Sequence, residues 1–354
     1  MIVNQWVPAA HRGDAVGDNA RLLREVFRRW GHRSEIYALT IDPDLEGDVR
    51  PWGGQESRAG DVTILHFAVP SPMTDVFGRL PGARVLHYHN VTPARFFAPF
   101  DAGLARLATL GRRELAGLAD RTDLALGVSA FNRRELDEIG FPATGVLPIV
   151  VDPDRLRRAD RRPALDALLA DGLVNILFVG RIAPNKMIED HIRLAEHYKR
   201  NIDAYYRFVF VGRTDAVPAY HRTVRALVRE YRMLPERFWF VGAVPDEELA
   251  TYYRHAHAYV SLSEHEGFCV PLVEAMAMDV PVLAYAAGAV PETLDGAGVM
   301  FSPKDLEHAA ELLNDLIYDL PLRQRVIEGQ RRRVAAFGRD RIEPTLKQML
   351  EDVA

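Results

Sequence analysis

Cysteine is almost missing: Cys269 stands alone in 354 residues, which rules out an internal disulfide framework and fits a reducing compartment. Lysine is scarce as well. Only Lys186, Lys199, Lys304 and Lys347 contribute to the 44 basic residues, the rest being arginine, a bias that base composition of the genome explains. No apolar run approaches the roughly 18 residues needed to cross a bilayer. The start, "MIVNQWVPAAHRGD", lacks the charged head and apolar centre of a secretion signal. With a formal charge of −5 the chain offers nucleic acid no general electrostatic attraction. No G-x-G-x-x-G follows the first strand-like run, which weighs against a dinucleotide oxidoreductase. A cytoplasmic protein is expected, one able to rest against the inner face of the membrane.

What is present is a globular composition, 48% apolar and 26% charged, over a length that allows two domains with separate cores. Short β-rich runs alternate with helical patterns, which predicts parallel sheets covered by helices on both faces. Strands are expected near 2–7, 34–39, 62–67, 84–89, 124–128 and 145–150, with helices over 17–30, 103–118 and 130–138. The polar, Pro-containing stretch 151–172 reads as a connection. A second strand series follows: "VNILFVGR" (174–181), "RFVFVG" (207–212), "FWFVG" (238–242), "AYVSLS" (258–263) and "VPVLAY" (280–285). The fold class is therefore α/β, with two Rossmann-like domains facing each other across a deep crevice. Residues 1–152 make up the first and 153–338 the second. Such sheets bind ligands at the carboxyl ends of their strands.

The densest chemistry lies in "SEHEGFCVPLVEAMAM". Glu266 and Glu274 stand eight positions apart, between a buried strand and an apolar helix. Free N–H groups at the helix start attract anions, and an ionised carboxylate accepts hydrogen bonds from adjacent hydroxyls. Upstream, "LFVGRIAPNK" carries Arg181 and Lys186 out of a strand. Arginine binds a diphosphate bidentately and lysine acts as a point charge. A ligand bearing both phosphate and sugar suits this set. Cys269 has no neighbouring base in sequence and reads as packing, not as a nucleophile.

In order and spacing these motifs resemble the retaining family-4 glycosyltransferases (glycosyl transferases group 1) of the GT-B fold. The likeness covers nearly the whole chain: "GR…K", the E-x7-E element, "LHYHN" ending at His89, "LGVSAFNRREL" and "VLPIVVD". It implies a C-terminal helix, 341–353, crossing back, so that about 339–354 join residues 1–152 in the first domain. It implies a metal-independent hexosyl transfer from a nucleotide diphosphate sugar, GDP-mannose or a UDP-hexose, to an acceptor hydroxyl, with no cofactor. By the same resemblance Glu266 contacts the donor sugar and Gly267, Phe268, Cys269 and Val270 lie near the sugar and distal phosphate. Glu274 takes the ribose hydroxyls, Arg181 and Lys186 hold the diphosphate, and His89 sits at the reacting centre. His87 is assigned to the core or to supporting His89.

The loop "HRGDAVGDNARLL" corresponds to one that covers the diphosphate and acceptor. Gly13, Asp14 and Gly17 are its candidates, although the family's usual Gly-Gly pair is replaced. The "DPD" triplets at 42–44 and 152–154 read as Pro turns, not metal sites, and His255 and His257 read as packing. Saccharide or lipid-linked acceptors of cell-surface polysaccharide synthesis are the expected partners. Within 101–118, Leu104, Leu107, Leu115 and Leu118 with Arg106, Arg112 and Arg113 allow membrane contact. The alternatives are a catalytically silent sugar-nucleotide-binding subunit and an epimerase of the same fold.

Overall fold

The computed structural model describes residues 1–11, 13–53 and 57–353. They form two units: 1–98 with 102–151 and 337–354, and 99–101 with 152–336. In the first, the strands are β1 (Val3–Ala10), β2 (Ile36–Ile41), β3 (Arg50–Pro51), β4 (Val62–Phe67), β5 (Ala83–Tyr88), β6 (Leu124–Gly127) and β7 (Thr144–Val146). They pair in the order β3-β2-β1-β4-β5-β6-β7, and every pairing is parallel. Burial on both faces explains why β4 is largely apolar, every residue of it being buried, Thr63 and His66 included.

One face of this sheet, with Val3, Ile64 and Val85, packs against Leu23 and Phe27 of the helix Ala15–Arg29. Ile342, Leu346, Met349 and Leu350 of the last helix, Arg339–Val353, complete that cluster. Ion pairs Arg29–Glu343 (2.8 Å) and Arg339–Glu25 (2.9 Å) flank it. The return of the C-terminal helix to the first unit is thus a burial effect, since four large apolar side chains leave water together. The other face carries Trp6, Leu65 and Leu86 against Met73, Phe77, Leu115 and Leu136.

The second unit holds β8 (Val174–Val179), β9 (Tyr206–Val211), β10 (Phe238–Gly242), β11 (Ala258–Ser261), β12 (Val282–Tyr285) and β13 (Val299–Phe301). Their order is β10-β9-β8-β11-β12-β13, again parallel throughout. The strand order reverses between β8 and β11, successive strands being added on one side of β8 and then on the other, so the loops leaving these two strands open a crevice at the carboxyl edge. Glycines end the three strands on one side of it. Gly212 has φ +136°, and an added Cβ would lie 2.2 Å from the Gly180 carbonyl oxygen, so only glycine fits there.

Two expectations change. The stretch 151–172 is not a bare connection: it folds into helices Arg155–Arg158 and Pro163–Leu169, which bury Leu156 and Leu169. Its prolines and charges hid two short amphipathic turns. Gly17 belongs to the helix Ala15–Arg29 and not to a loop. The loop ahead of it keeps Gly13, at φ +70° with open space beside it, and Asp14 as the residue preceding the helix; Arg12 lies outside the described residues.

Candidate active site

In the second unit the loop after β8 tightens into a single 3-10 turn, Pro184–Lys186, before the helix Ile188–Asn201. The loop after β11 runs from Leu262 to the helix Val270–Ala277. Asn185 joins the two loops. Its side chain donates to the His265 carbonyl at 3.0 Å, and its own carbonyl accepts from the Glu264 N–H at 2.9 Å. Lys186 and Glu266 are therefore set opposite one another, with Nζ at 2.6 and 2.7 Å from the two carboxylate oxygens. Both side chains are mostly buried, 17% and 7% exposed. Arg181, at the exit of β8, is exposed.

Behind Glu266 the backbone is closed off by Gly288. At φ +59° its missing Cβ would stand 2.6 Å from the Glu266 carbonyl oxygen and 2.9 Å from its nitrogen. Gly267 is half-buried and Phe268 buried, with the Phe268 carbonyl accepting from the Thr293 hydroxyl at 2.6 Å. Cys269 precedes the helix in left-handed conformation, φ 71°. Burial and the Glu266 carboxylate push its thiol well above its ordinary range, so it carries no thiolate to act as nucleophile. Val270 begins the helix, and Pro271 after it supplies no N–H.

Glu274, inside that helix, is buried. One carboxylate oxygen meets Arg155 at 2.5 Å and the other accepts from the Tyr253 hydroxyl at 3.1 Å. Arg155 also reaches Asp246 at 2.6 Å. Burial raises the Glu274 carboxyl above its ordinary value, against the opposing pull of Arg155 and the Tyr253 hydroxyl. Neither Arg155 nor Tyr253 is marked by a motif. The one sequence hint of Arg155 is its place in the run Arg155–Arg158 beside the second Asp-Pro-Asp.

In the first unit His89 follows β5, and its backbone N–H bonds the Phe67 carbonyl at 2.8 Å. His87, two residues earlier, donates from Nε2 to the Leu147 carbonyl at 2.9 Å and is fully buried. A third histidine joins them that the motifs do not reveal. His66 of β4 lies 2.9 Å from His89, Nδ1 to Nε2. Burial lowers His87 to about 4 and holds His66 and His89 well below the usual imidazole value. Among the described residues these three form the one grouping whose donor atoms, all within 4.8 Å of one another, are of metal-ligating type. His255 and His257 bind protein instead, to Asp166 at 2.8 Å and to the Asn175 N–H at 3.0 Å. Asp42 pairs with His11 at 2.7 Å, and Asp152 pairs with Arg158.

Two doubly wound parallel sheets, one with paired glutamates and a lysine at the exits of its switch-point strands, define the GT-B class of glycosyltransferase fold. The sequence model of the glycosyl transferases group 1 family matches residues 167–333, all within the second unit. Among solved structures it is similar to Anabaena HepE in complex with UDP and glucose, with a TM-score of 0.77, 17% identity and 99% of each chain covered. It is similar also to sucrose-phosphate synthase from Thermosynechococcus elongatus, with a TM-score of 0.75, 18% identity, and 99% of this chain and 98% of that one. These likenesses show the fold. In sequence it is 32% identical over 245 residues to a GDP-mannose-dependent alpha-mannosyltransferase of Mycolicibacterium smegmatis, covering 65% of this chain and 58% of that protein. The chain spans less than two thirds of the length of the first curated relatives it matches.

Proposed function

We propose that this protein transfers a hexose, mannose first among candidates, from a nucleotide diphosphate sugar to an acceptor hydroxyl with retention at the anomeric carbon. The observation that carries this reading is the Lys186–Glu266 pair at the switch point of the second sheet. In the ligand-free protein the carboxylate neutralises the ammonium. A diphosphate draws the ammonium to itself, since Lys has three N–H donors to share. Glu266 then has lone pairs for sugar hydroxyls. Arg181, already exposed, adds a second cation, and the amides of 267–270 are assigned to the same anion.

During transfer the bond from the anomeric carbon to the diphosphate oxygen breaks, and its electron pair leaves with the phosphate. The acceptor oxygen attacks from the same face while its proton passes to that phosphate oxygen. No enzymic nucleophile is required. Positive groups around the leaving oxygen lower the barrier, because charge grows there in the transition state. Lys186, Arg181 and the helix start supply that charge from protein, which is why metal independence belongs to the proposal. Glu274 takes the ribose hydroxyls once Arg155 and Tyr253 share it. His89 is assigned to the reacting sugar, and Gly13 and Asp14 to the loop near phosphate and acceptor.

GDP-mannose is preferred over a UDP-hexose because the mycobacterial relative is described as GDP-mannose-dependent. An α-linked donor giving an α-linked product is retention. An E. coli relative described as an O-antigen chain mannosyltransferase supports a cell-surface saccharide as acceptor. Membrane contact rests on the helix Ala102–Ala116. The leucine stripe divides there: Leu115 and Leu118 are core, whereas Leu107 and Leu110 are exposed beside Arg106 and Arg113. Among the described residues no helix is long and apolar enough to cross a membrane.

The test is a donor panel on purified protein with EDTA present, scoring nucleotide release and the product anomer by NMR with mannoside acceptors. GDP-mannose turnover giving an α-product without added metal is expected. Turnover that requires divalent metal, or an inverted product, overturns the mechanism.

A further inference from the structure

His66 and His89 of the first unit stand in a hydrogen-bond chain whose proton positions are fixed from its Gln5 end. The Gln5 amide nitrogen donates to the Ala20 carbonyl at 2.9 Å, an acceptor that can receive only a proton. The Gln5 amide oxygen therefore faces the His66 Nε2, 2.9 Å away, and that nitrogen must carry hydrogen. His66 is fully buried and held neutral by that burial, so its Nδ1 bears a lone pair. The His89 Nε2, 2.9 Å from it, must then be the donor. His89 is neutral as well, which leaves its Nδ1 unprotonated. That atom is buried and has no hydrogen-bond partner.

We propose that Gln5 and His66 are positioning residues that lock His89 as the Nε2–H tautomer, so that His89 offers saccharide only an acceptor, its Nδ1 lone pair. This rests on the transferase reading above. A buried acceptor without a donor is unfavourable, and a sugar hydroxyl supplies the missing proton. A ligand carbonyl or phosphate oxygen at the same place does not. The contact therefore selects for a hydroxyl in its donating sense. His87 has its own anchor: its Nε2–H is spent on Leu147, and its Nδ1 is likewise unpartnered. Its ring, 4.4 Å from that of His89, has no hydrogen to give. The rival occupant of the three-histidine grouping is a transition metal. Metal binding, however, leaves the His66 Nδ1 competing with its existing bond to His89.

The experiment is histidine-selective 15N NMR on the whole protein at pH 7.5, where the two tautomers have distinct nitrogen shifts, combined with kinetics. We expect His66 and His89 both as Nε2–H tautomers. On adding GDP-mannose, the His89 Nδ1 resonance should move in the direction of hydrogen-bond acceptance. His66→Phe should let His89 redistribute between tautomers and lower kcat at least tenfold, with donor KM changed less than threefold. His66→Asn, which keeps a carbonyl to receive the His89 proton, should restore both. Gln5→Leu should act like His66→Phe in weaker form. A wild-type His89 carrying its proton on Nδ1 overturns the proposal whether or not any variant folds. So does stoichiometric Zn2+ binding that shifts all three histidines. Should no nucleotide sugar turn over, the functional reading fails while the tautomer measurement still decides the chain.

Discussion

Lys186 holds both carboxylate oxygens of Glu266, at 2.6 and 2.7 Å, across eighty residues of sequence. The pair is mostly buried, so each charge is stable only because the other is there. Removing one partner of a buried pair costs on the order of 3 kcal/mol, whereas replacing both is close to neutral. Lys186→Met should therefore lower the melting temperature clearly, and the double variant with Glu266→Gln should recover most of that loss. Turnover should stay at least 100-fold down in both. A double variant that regains activity along with stability shows the pair to be structural alone.

The second carboxylate gives a pH signature. The Glu274 carboxyl is raised by burial, and Arg155 is the largest influence opposing that rise. A raised acid contributes stability that is complete below its ordinary 4.5 and disappears as pH climbs through its folded value. In Arg155→Ala the opposing cation is gone, so the carboxyl rises further. The variant's deficit in melting temperature should be small at pH 5 and widen steadily to pH 8. A constant deficit across that range means Arg155 stabilises through packing and not through Glu274. Donor KM should also rise in the variant, since a neutral carboxyl accepts ribose hydroxyls poorly.

The residues that announced themselves in sequence are those fixed by local spacing. Glu266 and Glu274 share one strand-loop-helix passage, and Arg181 and Lys186 another, so strand and helix periodicity was enough to place them. The strands that end at glycine, β6, β8, β9 and β10, fall within two residues of expectation, whereas β1 continues to Ala10 beyond the expected 7 and β7 stops at Val146 short of the expected 150. What stayed hidden depends on pairing across long stretches. Gln5 meets His66 because β1 lies beside β4, and no period in the chain reveals that neighbourhood. Arg155 sits in a segment whose prolines and charges resemble a linker. β3 and β13, two and three residues long, are too short to carry a pattern.

Cys269 tests the opposite assignment. Its thiol is buried and held far from ionisation, and its place before the helix depends on backbone and volume. Cys269→Ser should keep at least a third of wild-type kcat. Iodoacetamide at pH 7.5 should leave the native wild-type protein unmodified over hours, followed by mass spectrometry. Rapid alkylation that abolishes turnover, together with an inactive serine variant, restores the nucleophile reading.

The sharpest geometric test is Gly288. At φ +59° a side chain is strained wherever it is placed, and here the Cβ would also strike the Glu266 backbone, whose carbonyl takes the Ala289 N–H at 3.0 Å. Gly296 provides the control: it has φ +78° and open space around the same added atom. Both alanine variants bear the left-handed strain, on the order of 1–2 kcal/mol, but only Gly288→Ala must move Glu266. A shift of a few tenths of an ångström at the carboxylate proposed to engage the reacting sugar weakens transition-state contacts directly. Gly296→Ala should lose melting temperature with kcat intact. Gly288→Ala should lose kcat by more than tenfold beyond any effect of reduced folded population, measured at a temperature where both variants are fully native by circular dichroism. Equal kcat values for the two would mean that Glu266 tolerates displacement, and the role assigned to its carboxylate would have to pass to another residue.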